Sequence, residues 1–186
     1  RISAYGVELR FYSFPLNRFL PADSLGLLDL ALQGGGSGFD PLRAQTRGNI
    51  RLQVDRAEFR GRDFGGVELN ANLEGGQLSG RLSDRDEALR LLLLVSGTLT
   101  ERKQEVRLTG NVFDFDLAEL GISPQKIGGS FALEAGASAS DAGSYTARIS
   151  LDSIEVRTRH RTDRIRPTSL SLSSDTTATR AKLASG

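Results

Sequence analysis

Along most of this chain apolar and polar residues alternate one by one, the pattern of a β-strand with one face against apolar surroundings and the other in water. Tyr5, Val7, Leu9 and Phe11 share one parity, and so do Ile50, Leu52 and Val54. The same holds for Val67, Leu69, Ala71 and Leu73, for Val106, Leu108 and Gly110, for Phe131, Leu133 and Ala135, and for Tyr145, Ala147, Ile149 and Leu151. Arg, Glu, Gln, Asn, Ser and Thr fill most of the positions between, so one face of each strand is wet. The stretch from Ala88 to Leu99 departs from this rule, with Leu89, Leu91, Leu93 and Val95 on one parity and Leu92 and Leu94 on the other. It predicts a strand covered on both faces; a short helix after Ser83 and Asp84 is disfavoured because Val95, Ser96, Gly97 and Thr98 follow.

Turn signals separate the runs: Gly61, Gly65-Gly66, Gly75-Gly76, Asp84 to Asp86, Gly128-Gly129 and Asp141 to Gly143. Helical spacing occurs at two places only, Pro15 to Leu20 and Asp116 to Leu120, stopped by Pro21 and Gly121. The expected fold class is therefore all-β, an antiparallel sheet with short helical turns.

Self-comparison adds a repeat. At an offset of 101 the helical segment Phe14 to Phe19 falls on Phe115 to Leu120, Leu30 to Gly35 on Phe131 to Gly136, and Tyr5, Val7 and Phe11 on Val106, Leu108 and Val112. At an offset of 97, Arg51 to Arg60 meets Arg148 to Arg157, with identities at Arg51/Arg148, Asp55/Asp152, Glu58/Glu155 and Arg60/Arg157. The offset returns to 101 for Leu69/Leu170 and Leu82/Leu183. The chain reads as about 1.8 units of a continuous array: residues 1–13 end one repeat, 14–113 form a full one, and 114–186 begin the next. Each unit holds roughly six strands, which at about 4.8 Å per strand advance the array by roughly 29 Å.

Composition narrows the function. With 186 residues the length suits one domain or a short stretch of a repetitive one. The chain has no Met and opens at Arg1 directly onto an alternating run, so the expectation is an internal piece of a longer protein. The 24 basic and 23 acidic residues leave a net charge of +1, which argues against a nucleic-acid partner held by bulk charge. Without Cys there is no disulfide framework and no thiolate metal site. The longest apolar run, Leu91 to Val95, is far short of a membrane span, and no signal peptide is visible.

Candidate chemistry is sparse. His160, the one His, lies among Arg157, Arg159, Arg161, Arg164 and Arg166 and reads as an exposed loop residue. That basic run could meet an anion, but the second repeat is four residues longer here, so an expanded strand connection accounts for it. Asp84 with Asp86, and Asp114 with Asp116, have a spacing open to oxygen ligation of a metal; turn and cap roles fit both pairs better. Ser123 to Lys126 has a Ser-x-x-Lys spacing without its companion motifs, and Gly34 to Gly38 matches no phosphate-binding fingerprint and reads as a flexible connection. No constellation supports an enzyme, and no cofactor is implied.

A one-sided sheet must have its apolar face covered by a second sheet, by closure into a barrel, or by curling into a trough that accepts an apolar ligand. A repeat that propagates favours the open trough, and its lining would be Leu, Ile, Val, Ala and a few Phe. The segments FPLNRFLPADSLG and FDFDLAELGIS, each followed by an alternating LDLALQGG or GSFALEAG strand, and then RLQVDRAEFRGRDFGGVELNANL, resemble the repeats of the TamB group of the AsmA-like family, in its Bacteroidetes form. The likeness covers nearly the whole chain and rests on repeat texture and on the Asp-Leu-x-x-Leu-Gly turn at Asp116 to Gly121.

The resemblance implies a β-taco, a U-shaped sheet with an apolar inner surface. It implies a periplasmic location, with the full-length protein anchored in the inner membrane and meeting an outer-membrane assembly partner of the Omp85 type at its far end. It further implies that phospholipid acyl chains lie along Leu30, Leu32, Ile50, Leu52, Val54, Leu69, Phe131, Leu133, Ile149 and Leu151, carried between membranes without chemistry. Two other expectations stand beside it: a chaperone that offers strand edges to outer-membrane β-barrel proteins or autotransporters, and a ligand-free structural β-repeat array.

Overall fold

Alternation becomes strand almost throughout. The computed structural model describes residues 4–18, 25–140, 144–174 and 179–185. The strands are β1 (Ala4–Pro15), β2 (Leu25–Ser37), β3 (Arg47–Phe59), β4 (Arg62–Phe64), β5 (Val67–Glu74), β6 (Gln77–Arg85) and β7 (Leu89–Leu99). They continue as β8 (Lys103–Asp116), β9 (Gly128–Ser140), β10 (Tyr145–Arg157), β11 (Thr162–Ile165), β12 (Thr168–Ser174) and β13 (Thr179–Ser185). All belong to one open, curved antiparallel sheet in the order β1-β2-β3-β5-β6-β7-β8-β9-β10-β12-β13, with β4 beside β3 and β11 beside β10. The fold is all-β, as the alternation predicts.

The sheet has one layer. Among the described residues every pair of elements in sustained contact is a ladder pair or the junction of β2 with the 3-10 turn Leu16–Arg18. A compact monomer of 20.1 kDa exposes about 8,700 Å², and this chain exposes 12550 Å². Among the described residues only Ala88, fully buried, and Val112, 7% exposed, form a closed apolar core.

Ladder register is repeat-like. Tyr5↔Gly36, Phe11↔Leu30 and Phe14↔Leu28 of β1–β2 recur 101 residues later as Val106↔Ala137, Val112↔Phe131 and Phe115↔Gly129 of β8–β9. The bulge between Phe11 and Phe14 recurs between Val112 and Phe115. Six ladder steps separate β1 from β8. One step differs: Leu32 faces Leu52, but Leu133 faces Leu151 and not Ile149, the residue 97 places after Leu52. The slip is two residues, so it keeps the same side chains on the same face.

Several local expectations are corrected. Gly128-Gly129 is not a turn but the start of β9, wedged between β8 and β10. A Cβ on Gly129 would lie 2.1 Å from the Glu155 carbonyl oxygen and 3.0 Å from the Phe115 ring, so glycine is there for close approach. Gly34 to Ser37 is strand rather than flexible connection, because β1 and β3 pair with it on both sides. The turn expected at Asp84 to Asp86 begins later, since β6 runs through Arg85. β7 is a strand, but among the described residues nothing covers its second face, where Leu94 is 48% exposed. The first helical segment is the three-residue turn Leu16–Arg18; Phe19, Leu20 and Pro21, like the expected turn at Asp141 to Gly143, lie outside the described residues.

The second helical segment is a single turn with both ends satisfied. Asp116 Oδ1 accepts the backbone N–H groups of Ala118 (2.9 Å) and Glu119 (3.2 Å), the N-cap arrangement. At the other end the Gly121 N–H donates to the Ala118 carbonyl and the Ile122 N–H to that of Leu117, a Schellman closure that needs the positive φ of Gly121, 69°.

Candidate functional site

Antiparallel pairing carries one parity of each strand into rows that run across the sheet. One row passes through Leu9, Leu32, Leu52, Leu69, Leu82, Leu93, Gly110, Leu133 and Leu151. The next passes through Val7, Gly34, Ile50, Ala71, Gly80, Val95, Leu108, Ala135, Ile149, Leu170 and Leu183. Leu30 and Val54 face each other one pair further along, and Phe131 faces Val112. All ten residues expected to line a groove therefore share one face. Leu93 and Leu108, already members of alternating runs, join them, and so do Leu78, Leu82 and Leu170, which belong to no run named above; there the alternation is cut short by Gly80 and Ser174, which carry no apolar side chain.

This face is uncovered. Val7 is 50% exposed, Ile50 41% and Ile149 46%. Leu32, Leu52, Leu69 and Leu133 are half-buried, because cross-strand neighbours about 5 Å away shield one another even where no second layer exists.

The opposite face is charged. Arg51 donates to Asn70 (2.9 Å), Arg107 pairs with Glu134 (2.6 Å), and Lys103 with Glu105 (2.6 Å), all exposed. Such pairs contribute about 0–1 kcal/mol each and serve mainly to keep this side solvated. Two concavities lie on this side: one of about 820 Å³ over β8 to β13, bounded by Arg107, Glu134, Arg148 and Lys182, another of about 600 Å³ over β2 to β6, bounded by Asn49, Arg51, Asn70 and Arg81. Long polar side chains stand up and enclose space, whereas the short aliphatic rows form a smooth surface.

Loops gather at one end of the sheet. The β3–β4 hairpin reaches the turn that follows β8: Arg60 Nη1 donates to the Gly121 carbonyl (2.7 Å), and Arg62 pairs with Glu119. Asp86 accepts the N–H groups of Ala88 (2.8 Å) and Gly65 (3.2 Å), and Asp84 accepts that of Asp86 (2.9 Å). Burial, more than the neighbouring Asp86 charge, raises the Asp84 carboxyl above its ordinary pKa. Asp114 pairs with Arg157. Both Asp pairs thus serve turns, caps and ion pairs, and no group of three or more potential metal ligands occurs among the described residues.

Ser123 Oγ accepts the Gln125 N–H (3.1 Å), a local turn contact. His160 is exposed between β10 and β11. The basic run forms that hairpin, Glu155↔Arg164 and Arg157↔Thr162, with Arg161 paired to Asp163 at 2.7 Å. Among the described residues no helix is long and apolar enough to cross a membrane. No protein-family model, no curated protein and no solved structure matches this chain.

Proposed function

We propose that the apolar face is a track for phospholipid acyl chains, within a longer array of the TamB type that stands in the periplasm between inner and outer membranes. The observation that carries this reading is the set of aliphatic rows across the sheet, interrupted by glycine at Gly34, Gly80 and Gly110 and left open to solvent. Monomers rarely leave a contiguous apolar patch of this extent without a partner. The rows are smooth and lack polar side chains that would select one headgroup or fix one position, so an acyl chain slides along them while its headgroup stays at the rim. No bond is made or broken.

Magnitudes favour two-chain lipids. Covering half the surface of a sixteen-carbon chain, at about 0.8 kcal/mol per fully buried methylene, gains about 6 kcal/mol. Association costs about 4–15 kcal/mol in lost freedom. One chain is then held weakly and two chains are held firmly. Native mass spectrometry of the purified chain is the test: co-purified diacyl phospholipid supports the track, and a lipid-free chain with an intact sheet favours the structural array.

A further inference from the structure

At the loop end of the sheet four arginines have acceptors: Arg60 the Gly121 carbonyl, Arg62 Glu119, Arg157 Asp114 and Arg161 Asp163. Lys126 and Arg159 are exposed and have no ion pair or hydrogen bond among the described residues. They come from different connections, β8–β9 and β10–β11. The β9–β10 ladder ends at Gly128↔Arg157, and Lys126 and Arg159 each lie two positions beyond that pair. The turn that carries Arg159 is closed firmly. The Thr158 N–H donates to the Arg161 carbonyl (2.9 Å), and the Thr158 hydroxyl donates to the same carbonyl (3.1 Å) and accepts the Arg161 N–H (3.3 Å). Arg159 and His160 are thereby held at its tip.

We propose that Lys126, Arg159 and His160 form a seat for a phosphomonoester. With Pro124 and Ile127 they bound a cavity of about 730 Å³ that has no carboxylate in its lining. A neighbouring cavity of about 490 Å³ shares Lys126 and Arg159 but is also bounded by Glu87, Asp114, Asp116 and Glu119. Those carboxylates repel an anion and direct it to the first cavity. The planar fork of Arg159 can hold two phosphate oxygens, Lys126 adds a point charge and His160 a ring N–H. Two fixed positive charges match the roughly 1.5–2 negative charges of a phosphomonoester at neutral pH.

The repeat does not impose this pair of cations. The residue 101 places before Lys126 is Leu25, and the matching hairpin of the first unit is four residues shorter, with Arg60 and Arg62 already engaged. Nor does the turn need them, since Thr158 and Arg161 close it. A phosphomonoester carried on a lipid would sit here at the strand ends, off the aliphatic rows, and a free one would need no row at all. The seat rests on the charge and register of these loops and not on the acyl-chain reading.

The single His supplies one imidazole signal in the NMR spectrum, at the seat itself. Inorganic phosphate added to the full chain at constant pH and ionic strength should shift it saturably, with a Kd on the order of 1 mM. Lys126→Gln and Arg159→Gln remove exposed, unpaired side chains, so they leave the fold intact, and each should weaken binding about fivefold or more. Lys103→Gln, at the opposite end of β8, should not. Dihexanoyl phosphatidate below its micelle concentration separates the two sources: binding about tenfold tighter than phosphate marks a lipid headgroup, and equal or weaker binding marks a free phosphate. A shift that does not saturate, that chloride reproduces at the same ionic strength, or that survives both glutamine variants would overturn the proposal. Inorganic phosphate has no acyl chain, so failure of the seat and failure of the lipid track are read separately.

Discussion

Replacing Ile149 by arginine separates an open track from a closed core. Ile149 lies in the second aliphatic row between Ala135 and Leu170 and is 46% exposed. Full burial of such a side chain stabilises a fold by about 1.5–3 kcal/mol, so the half-buried position contributes about 1 kcal/mol. The arginine stem can lie along the row with its guanidinium in water, which recovers part of that. The expected fall in Tm is about 3 °C or less for a chain of this length. A bound acyl chain meets a different obstacle, since it must run past a guanidinium at contact distance. Even with the charge displaced towards water that costs about 2 kcal/mol, or about thirtyfold in affinity. The assay is phospholipid per chain by native mass spectrometry, read beside a thermal melt, with Asn72→Arg on the charged face as the control. Lipid should fall sharply in Ile149→Arg with Tm nearly unchanged, and neither should move in Asn72→Arg. A drop of ten degrees or more accompanying the lipid loss would mean that Ile149 sits in a closed core, and full lipid occupancy would mean that no track passes it.

Lyso-phospholipid, with one chain, should exchange off the protein during gel filtration while diacyl lipid stays, a difference that mass spectra of the eluted protein display directly. Asp84→Asn should raise Tm at pH 7, because burial disfavours the charged carboxylate while an amide oxygen can still accept the Asp86 N–H. The sign follows from the raised pKa: the contribution of Asp84 is full below its ordinary value of 3.8 and is lost as pH rises through the raised one, so the advantage of Asn should vanish in acid, as melts across the pH range will report. Gly129→Ala forces a Cβ to within 2.1 Å of the Glu155 carbonyl oxygen and should cost about 2 kcal/mol, whereas Gly6→Ala, whose nearest neighbour is at 3.9 Å, should be close to neutral in the same denaturation series. Asp116→Ala removes the acceptor for two N–H groups and should cost about 1 kcal/mol, with faster exchange confined to Ala118 and Glu119.

How much of this was legible beforehand follows from the range of each signal. Side-chain parity is local, so β1, β3, β5, β8, β9 and β10 and the shared face of Leu52, Leu133 and Ile149 could be read from alternation alone. The Gly75-Gly76 hairpin was equally plain, both residues having positive φ between paired Glu74 and Gln77. β4 and β11 were not, because three or four residues carry no period and form only where a neighbouring strand supplies the ladder. Gly128-Gly129 misled because glycine marks turns by its backbone freedom, and here it marks close approach by a strand distant in sequence. The second face of β7 misled in the opposite sense: apolar residues on both parities suggested two covers, and the sheet provides none. The concavities of the charged face were beyond sequence reading, since they depend on how long side chains stand on a twisted surface.

The two-residue slip between β9 and β10 sets a rule for how such a sheet can change length. An insertion of two residues in the N-terminal half of a strand moves its partners along the ladder and leaves every leucine where an acyl chain would find it. An insertion of one turns that strand over, planting Arg148 and Ser150 among the aliphatic rows and lifting Ile149 and Leu151 into the charged side. Length variation among arrays built this way should therefore be quantised in pairs within strands and unrestricted in loops.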